Sequence, residues 1–317
     1  MRPKKVLVSH IDRRPFQSTL KHDVSLQYLQ GEESRYPQVL DQISEYDALI
    51  AVELAVDENL LAKAQNLKIV SNYGVGYDNV DVISAKARGC VVSNTPRSTA
   101  RPTAVFAISL ILSLLRKVTL TDRQIRTGKI KSFSDPNVLG TSPEGKILGI
   151  VGMGRIGKEL AMIASSMGMS VIYHNRNRVD KEFETAYRCR YVDLDQLAKQ
   201  ADVVSLHVPF TSATDQLIDA HFIRKMKSTA FIVNTARGGV MDYDALGMAL
   251  EESRIAGAAL DVFPNEPQIP KVFIELDNVI LTPHNGTGTM EARTQMFDEA
   301  LQNVINFFSG AEFNRVV

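Results

Sequence analysis

Only two cysteines, Cys90 and Cys189, occur in 317 residues, and they lie far apart. A disulfide framework is not expected, and a reducing, cytoplasmic setting fits the chain better. Excess charge is missing as well: 36 Lys and Arg balance 36 Asp and Glu, for a formal net charge of zero. A neutral chain without basic runs gives no electrostatic reason to bind nucleic acid or an anionic membrane. Long apolar runs are also lacking. The longest, residues 104–115, is broken by Ser109 and Ser113 and falls short of the ~20 residues that span a bilayer. Its spacing suits a helix buried on most sides, at a domain or subunit interface. Charges interrupt Met1-Arg2-Pro3-Lys4-Lys5 at once, so no secretory leader is visible. No Cys/His cluster has metal-ligand spacing, and no metal site is expected.

What is present is an alternation of short apolar runs with helical stretches. Residues 6–8, 48–52, 68–71 and 90–92 read as strands, with helices at 57–64 and 81–88 among them. Further strands are expected at 203–207, 230–234, 257–260 and 279–281, and a last helix at about 291–308. A long helix is expected from about Pro102, where proline sits in a tolerated first-turn position. This is the pattern of parallel sheets with helices on their faces, and the length suits two domains.

Near the middle, Ile147-Leu148-Gly149-Ile150-Val151-Gly152-Met153-Gly154-Arg155-Ile156-Gly157 runs from an apolar strand into Gly-x-Gly-x-x-Gly. A helical pattern and a second strand at 170–173 close the unit. Gly152 permits the tight turn, Gly154 lets the backbone approach a pyrophosphate, and Gly157 lets the helix pack close to the strand. The motif in this setting predicts a dinucleotide site. After the second strand, an NAD-binding chain usually places an acid for the ribose hydroxyls. Here Tyr173-His174-Asn175-Arg176-Asn177-Arg178 puts Asn175 at that point and two arginines after it. Guanidinium groups can grip a 2′-phosphate that a carboxylate would repel. NADP(H) is therefore expected to be preferred, with NAD(H) possible.

Three polar residues follow later strands. Arg237 comes after Val233-Asn234-Thr235-Ala236, Glu266 lies in Asp261-Val262-Phe263-Pro264-Asn265-Glu266-Pro267, and His284 follows Leu281-Thr282-Pro283. Together with Asn72-Tyr73-Gly74-Val75-Gly76-Tyr77-Asp78-Asn79-Val80-Asp81, these motifs resemble the D-isomer-specific 2-hydroxyacid dehydrogenases nearly end to end. Within that family the Asn-Arg-Asn-Arg segment most resembles the NADPH-linked glyoxylate, hydroxypyruvate and 2-ketoaldonate reductases.

The resemblance implies two Rossmann-like α/β domains with parallel sheets flanked by helices and a cleft between them. Residues 1–98 and 290–317 would form a flavodoxin-like substrate domain, and 99–289 the NAD(P)-binding domain. It implies reduction of a small 2-keto acid to the D-2-hydroxy acid. His284 would donate the proton, Glu266 would orient and charge it, and Arg237 would bind the carboxylate and polarise the keto oxygen. The N–H groups of Val75 and Gly76 would hold the carboxylate. Arg155 and Ile156 would touch the pyrophosphate, Val208 and Pro209 flank the adenine, and Thr214 help hold the phosphate side. Thr235 and Ala236 would meet the nicotinamide ribose and Asp261 the carboxamide, with Gly286 and Thr103 nearby. His207 is expected at a strand end near the cofactor, and His221 on a helix surface. A homodimer is implied.

The chain departs from the family pattern at three places. Arg101 replaces an acid before Pro102-Thr103-Ala104, placing an extra cation near the cleft or the subunit interface. Asn285 replaces an aliphatic residue after the histidine. The loop around Phe133 lacks a common tryptophan, and the chain contains none. Two other readings stay open: a dinucleotide-sensing scaffold resembling the co-repressors built on this fold, and an NAD-linked phosphoglycerate dehydrogenase. A formate dehydrogenase is disfavoured by the acid at Glu266.

Overall fold

The computed structural model describes residues 3–10, 18, 20, 23–29, 35–130, 132 and 134–317. The chain divides into two compact units, Met1–Thr99 with Thr287–Val317, and Ala100–Gly286. Each is built on a parallel sheet with helices on its faces, as the alternating pattern predicts.

In the first unit the strands are β1 (Lys5–Val8), β2 (Ser25–Tyr28), β3 (Ala48–Ala51), β4 (Ile69–Asn72) and β5 (Val91–Ser93). Their order is β2-β1-β3-β4-β5, the doubly wound order of flavodoxin-like sheets. Successive side chains of a strand point to opposite faces. Val6, Val8, Ala48, Ile50 and Ile69 accordingly pack against Met296, Phe297, Ala300, Leu301 and Val304 of the C-terminal helix Met290–Ser309. Leu7, Leu49, Ala51, Val70 and Val92 pack on the other face with Val39, Ile43, Leu60 and Leu61. Each large apolar side chain so buried contributes roughly 1.5–3 kcal/mol. The expected helices at 57–64 and 81–88 are Glu58–Lys63 and Val82–Ala87. Asp57 and Asp81 cap them instead of joining them, accepting from the N–H of Leu60 and Ser84. Strand β2 escapes the sequence pattern because it is a half-exposed edge strand with no apolar run.

In the second unit the strands are β6 (Ile147–Val151), β7 (Ser170–His174), β8 (Cys189–Tyr191), β9 (Val203–Leu206), β10 (Phe231–Asn234), β11 (Gly257–Leu260) and β12 (Val279–Leu281). The order β12-β11-β10-β9-β6-β7-β8 reverses direction between β6 and β9. That is the topological switch point, where such sheets bind ligands beyond their carboxyl ends.

The long helix differs from expectation. It spans Pro96–Leu115 and carries Pro102 in its interior, not in its first turn. Its start is capped from a distance: Glu299 accepts from the N–H of Arg97 at 3.1 Å and Ser98 at 2.8 Å, and from the Ser98 hydroxyl at 2.6 Å. A carboxylate at a helix N-terminus satisfies orphan donors and complements the dipole. The helix is long and apolar enough to cross a membrane by length and composition, and 56% of that stretch is buried in the protein. Its inner face (Ala104, Ala107, Ile108, Ile111, Leu115) packs with Leu148, Ile150, Val203 and Val233. Arg101, Val105 and Ser109 form an exposed stripe.

Candidate active site

The glycine motif follows β6 directly, and its glycines are held to different standards. Gly152 takes φ +102°, and a Cβ there would lie 2.6 Å from the His207 carbonyl carbon. A Cβ on Gly157 would lie 2.3 Å from the Gly152 oxygen. Gly154 faces open space, with nothing within 4 Å of an added Cβ. It is the N-cap of helix Arg155–Ser166 and supplies no side-chain cap. Among the described residues, the N–H groups of Arg155, Ile156 and Gly157 have no acceptor. Open room beside three free donors at a helix N-terminus suits a pyrophosphate.

Past β7, the sequence reading expected both arginines to face a 2′-phosphate. The structure separates them. Arg178 donates from Nε and Nη2 to the two oxygens of Glu184, at 2.7 and 2.6 Å. Tyr173 donates to the same carboxylate at 2.7 Å and accepts from the Val179 N–H at 3.0 Å. Arg178 holds Glu184 below the usual carboxylate range. Burial, then Glu184, pushes the Tyr173 hydroxyl up to about 12. Asn175 donates to the Asn177 carbonyl at 2.9 Å. Arg176 carries no ion pair among the described residues and remains exposed.

At the ends of β9 and β10 the geometry is mixed. His207 bonds Ser205 through Nε2 at 2.8 Å, while its Nδ1 is buried without a partner. Burial pulls its pKa down to about 4. His221 is exposed on helix Ala220–Lys225. Thr214 turns its hydroxyl onto its own loop, donating to the Pro209 carbonyl at 2.6 Å and accepting from the Thr211 N–H at 2.8 Å. Val208 is half-buried and Pro209 exposed. Thr235 Oγ1 is buried without a partner, and the Ala236 N–H is held by Asn234 Oδ1 at 3.0 Å. Orphaned polar atoms at His207 and Thr235 leave hydrogen-bonding capacity for a bound molecule, since buried polar groups are normally satisfied. Together with the open glycine cradle, they fit a dinucleotide.

Three strand-end loops of the second unit bring Arg237, Glu266 and His284 into one electrostatic group. His284 Nδ1 lies 2.8 Å from Glu266 Oε2. Glu266 Oε1 accepts from the Phe263 N–H at 2.9 Å. Burial pushes Glu266 upward, but His284, the Phe263 amide and the Arg237 charge outweigh it and leave its pKa below the ordinary value. Arg237 Nη1 donates to the Ala236 carbonyl at 2.9 Å. Close packing sets the loops together: a Cβ on Gly238 would lie 2.1 Å from the Phe263 carbonyl carbon.

His284 itself sits at φ +51°, a region that non-glycine residues rarely occupy. Asp261 holds that turn. Its carbonyl accepts from the His284 N–H at 2.8 Å. Its carboxylate accepts from Thr282 Oγ1 at 2.6 Å, the Asn285 N–H at 2.7 Å and the Gly286 N–H at 2.9 Å. Burial nevertheless raises the Asp261 pKa. The resemblance implies that Asp261 meets a carboxamide; here its carboxylate accepts from three protein donors. A Cβ on Gly286 would lie 3.4 Å from Thr103 Cγ2, so Thr103 borders the same turn.

In the first unit, Gly74 takes φ +153° and opens the loop after β4. Among the described residues, the N–H groups of Val75 and Gly76 donate to nothing. Of the departures, Arg101 is tied to Glu159 at 2.9 Å, so its charge is partnered. The Asn285 backbone is held by Asp261 as above. Phe133 lies outside the described residues. Sequence reasoning passed over Glu184, Asn72 and Asn94. Asn72 ends an apolar strand and Asn94 directly follows one, a signal of the kind that drew notice to Arg237. Glu184 looked like one more acid on a helix.

A family model for the NAD binding domain of the D-isomer specific 2-hydroxyacid dehydrogenases matches residues 108–286. A glyoxylate reductase of Thermococcus litoralis is 42% identical over 277 residues, covering 86% of this chain and 83% of that protein. The crystal structure of a glyoxylate reductase from Paecilomyes thermophila superposes with a TM-score of 0.85 at 32% identity, covering 100% of this chain and 99% of that one. An NADPH-dependent glyoxylate/hydroxypyruvate reductase from Sinorhizobium meliloti, in complex with NADP and malonate, gives 0.86 at 30% identity, covering 100% and 97%. With its glycine cradle and its Arg–Glu–His group on strand-end loops, the chain belongs to the D-isomer specific 2-hydroxyacid dehydrogenase family.

Proposed function

We propose that this protein reduces a small 2-keto acid of the glyoxylate/hydroxypyruvate class to the D-2-hydroxy acid, with NADPH preferred over NADH. The observation that carries the reading is the 2.8 Å contact of His284 Nδ1 with Glu266, in the field of Arg237. With Nδ1 engaged, Nε2 is the ring nitrogen left for substrate. A histidine held by a carboxylate at one ring nitrogen can serve as a proton donor through the other.

In this reading the Val75 and Gly76 N–H groups bind the substrate carboxylate, and Arg237 is the substrate-binding side chain of the second unit. Arg237 also draws charge toward the keto oxygen. His284 gives its Nε2 proton to that oxygen, and Glu266 stabilises the protonated ring beforehand and fixes its orientation. When bound, NADPH supplies the hydride for the keto carbon. Gly152, Gly154, Arg155, Ile156 and Gly157 would hold the pyrophosphate, and Asn175 with Arg176 the 2′-phosphate side. Val208 and Pro209 would flank the adenine, and Thr214 would help hold the phosphate side. Thr235, Ala236, Asp261, Gly286 and Thr103 would surround the nicotinamide. The names of the glyoxylate reductases above and the NADP carried by one of them support this reading.

We also propose division into a substrate domain (1–98 and 290–317) and a cofactor domain (99–289), a cytoplasmic setting, and a homodimer that buries the exposed stripe of helix Pro96–Leu115.

The test is the initial rate of NADPH and NADH oxidation with glyoxylate, hydroxypyruvate, 2-ketogluconate, pyruvate and phenylpyruvate. Fast turnover of glyoxylate or hydroxypyruvate with NADPH, lost in His284→Asn, is expected. Cofactor binding with no turnover on any of them would instead indicate a dinucleotide sensor.

A further inference from the structure

In a trans peptide the C=O and the following N–H point in opposite directions. Whatever holds the carbonyls of a loop therefore aims its amides. In the loop after β4, three carbonyls in a row are held, each by a different donor. The Gly74 oxygen accepts from the Thr95 N–H at 3.0 Å. The Val75 oxygen accepts from Asn94 Nδ2 at 2.7 Å. The Gly76 oxygen accepts from Asn72 Nδ2 at 2.7 Å. The first bond turns the Val75 N–H away from Thr95, and the second turns the Gly76 N–H away from Asn94. Those are the two amides without acceptors.

The second bond matters most, because it orients the peptide between Val75 and Gly76. Glycine tolerates either sign of φ, so nothing local prevents that peptide from turning over. Asn94 is 7% exposed, and its amide has one workable orientation. Its Oδ1 accepts from Asn314 Nδ2, which leaves Nδ2 to face the Val75 oxygen. Its backbone oxygen accepts from Asn303 Nδ2 at 3.0 Å, on helix Met290–Ser309. Asn303 Oδ1 in turn accepts from the Asn314 N–H at 3.3 Å. The segment bearing Asn314 is fastened beside β5, where the Val316 N–H donates to the Val92 oxygen at 2.8 Å.

We propose that Asn94 is a positioning residue for the substrate carboxylate, locked in its donating orientation by Asn314 of the C-terminal segment. This rests on the reading that the Val75 and Gly76 amides bind that carboxylate. Removing Asn94's amide frees the Gly76 N–H to turn inward, and the carboxylate loses one of its two backbone donors.

The experiment is steady-state kinetics of Asn94→Ala and Asn314→Ala with glyoxylate at saturating NADPH, beside amide shifts of the 15N-labelled wild type titrated with oxamate in the presence of NADPH. Asn94→Ala is expected to raise the KM for glyoxylate about 10-fold or more, the scale of one lost buried hydrogen bond. Its kcat and its KM for NADPH stay within about 3-fold. Asn314→Ala gives the same split at smaller size, and decides the matter should Asn94→Ala fail to fold. Unchanged glyoxylate KM in the folded variants overturns the proposal, as does a parallel loss in kcat and in both KM values, which marks a merely structural role. Wild-type Val75 and Gly76 amides that ignore oxamate overturn the carboxylate reading and the proposal with it. Amides that shift, beside an unchanged variant KM, overturn the proposal alone.

Discussion

Glu266 Oε2 lies 2.8 Å from Nδ1 of His284, a residue whose backbone is held at φ +51°. The contact spans 18 positions of chain and couples a carboxylate on the loop after β11 to an imidazole on the loop after β12. Glu266→Gln keeps an acceptor for Nδ1 but removes the charge that favours the protonated ring. It is expected to lower kcat roughly 10- to 100-fold, within the range of general acid catalysis, while the Kd for NADPH measured by fluorescence stays unchanged. A kcat near wild type would show that Glu266 only packs.

The two arginines after β7 are expected to behave differently. Arg176→Ala removes an unpaired cation and is expected to raise the KM for NADPH about 10-fold or more, the scale of a charge-assisted contact, with little effect on NADH. Arg178→Ala leaves the buried Glu184 with the Tyr173 hydroxyl but without its charged partner. It is expected to lower the melting temperature as well, because an uncompensated buried carboxylate is costly. Equal effects of both variants on NADPH, with no difference in melting, would contradict this division.

Gly154 and Gly157 give a second contrast. Gly154→Ala places its methyl in open space and should leave the unliganded protein as stable as wild type while weakening cofactor binding. Gly157→Ala drives a methyl to 2.3 Å from the Gly152 oxygen. Overpacking of that kind costs roughly 1–3 kcal/mol or more, so this variant is expected to melt earlier even without cofactor. Thermal melts with and without NADPH check both.

His207 sets a pH dependence. Part of the residue reaches the surface, but its Nδ1 is buried and its pKa falls from 6.5 to about 4. Between those values the unfolded chain binds a proton that the native protein refuses. Stability therefore rises with pH across this window and is lost as pH falls through it, by on the order of 3 kcal/mol from this group. His207→Phe is expected to flatten that part of the curve in urea titrations from pH 7 to pH 4. An identical slope in the variant would show that the imidazole does not contribute.

Local patterns carried much of this protein. The strands at 257–260 and 279–281 coincide with β11 and β12, because short unbroken apolar runs suit strands covered on both faces of a parallel sheet. The glycine cradle was legible because a strand, a tight turn and a helix start lie within eleven residues. Arg237, Glu266 and His284 stood out because each lies on the loop that follows such a strand. The edge strand β2 was not legible, being half exposed, and the helix starting at Pro96 was misplaced to Pro102.

The sequence by itself determined the doubly wound α/β class, the glycine turn that joins β6 to its helix, and the Arg237, Glu266 and His284 set on strand-end loops. Each follows from residue types at short fixed spacings, where backbone geometry leaves few choices. Tertiary structure alone decided how those groups are aimed. The cap that starts the long helix comes from Glu299, 201 positions beyond Ser98. The amide that steadies the Gly74–Gly76 loop is itself set by Asn314, 220 positions beyond Asn94. Arg178 is drawn to Glu184 while Arg176 stays open. Hydrogen bonds and ion pairs form between atoms close in space, and a linear pattern does not say which distant donors the fold will bring within 3 Å.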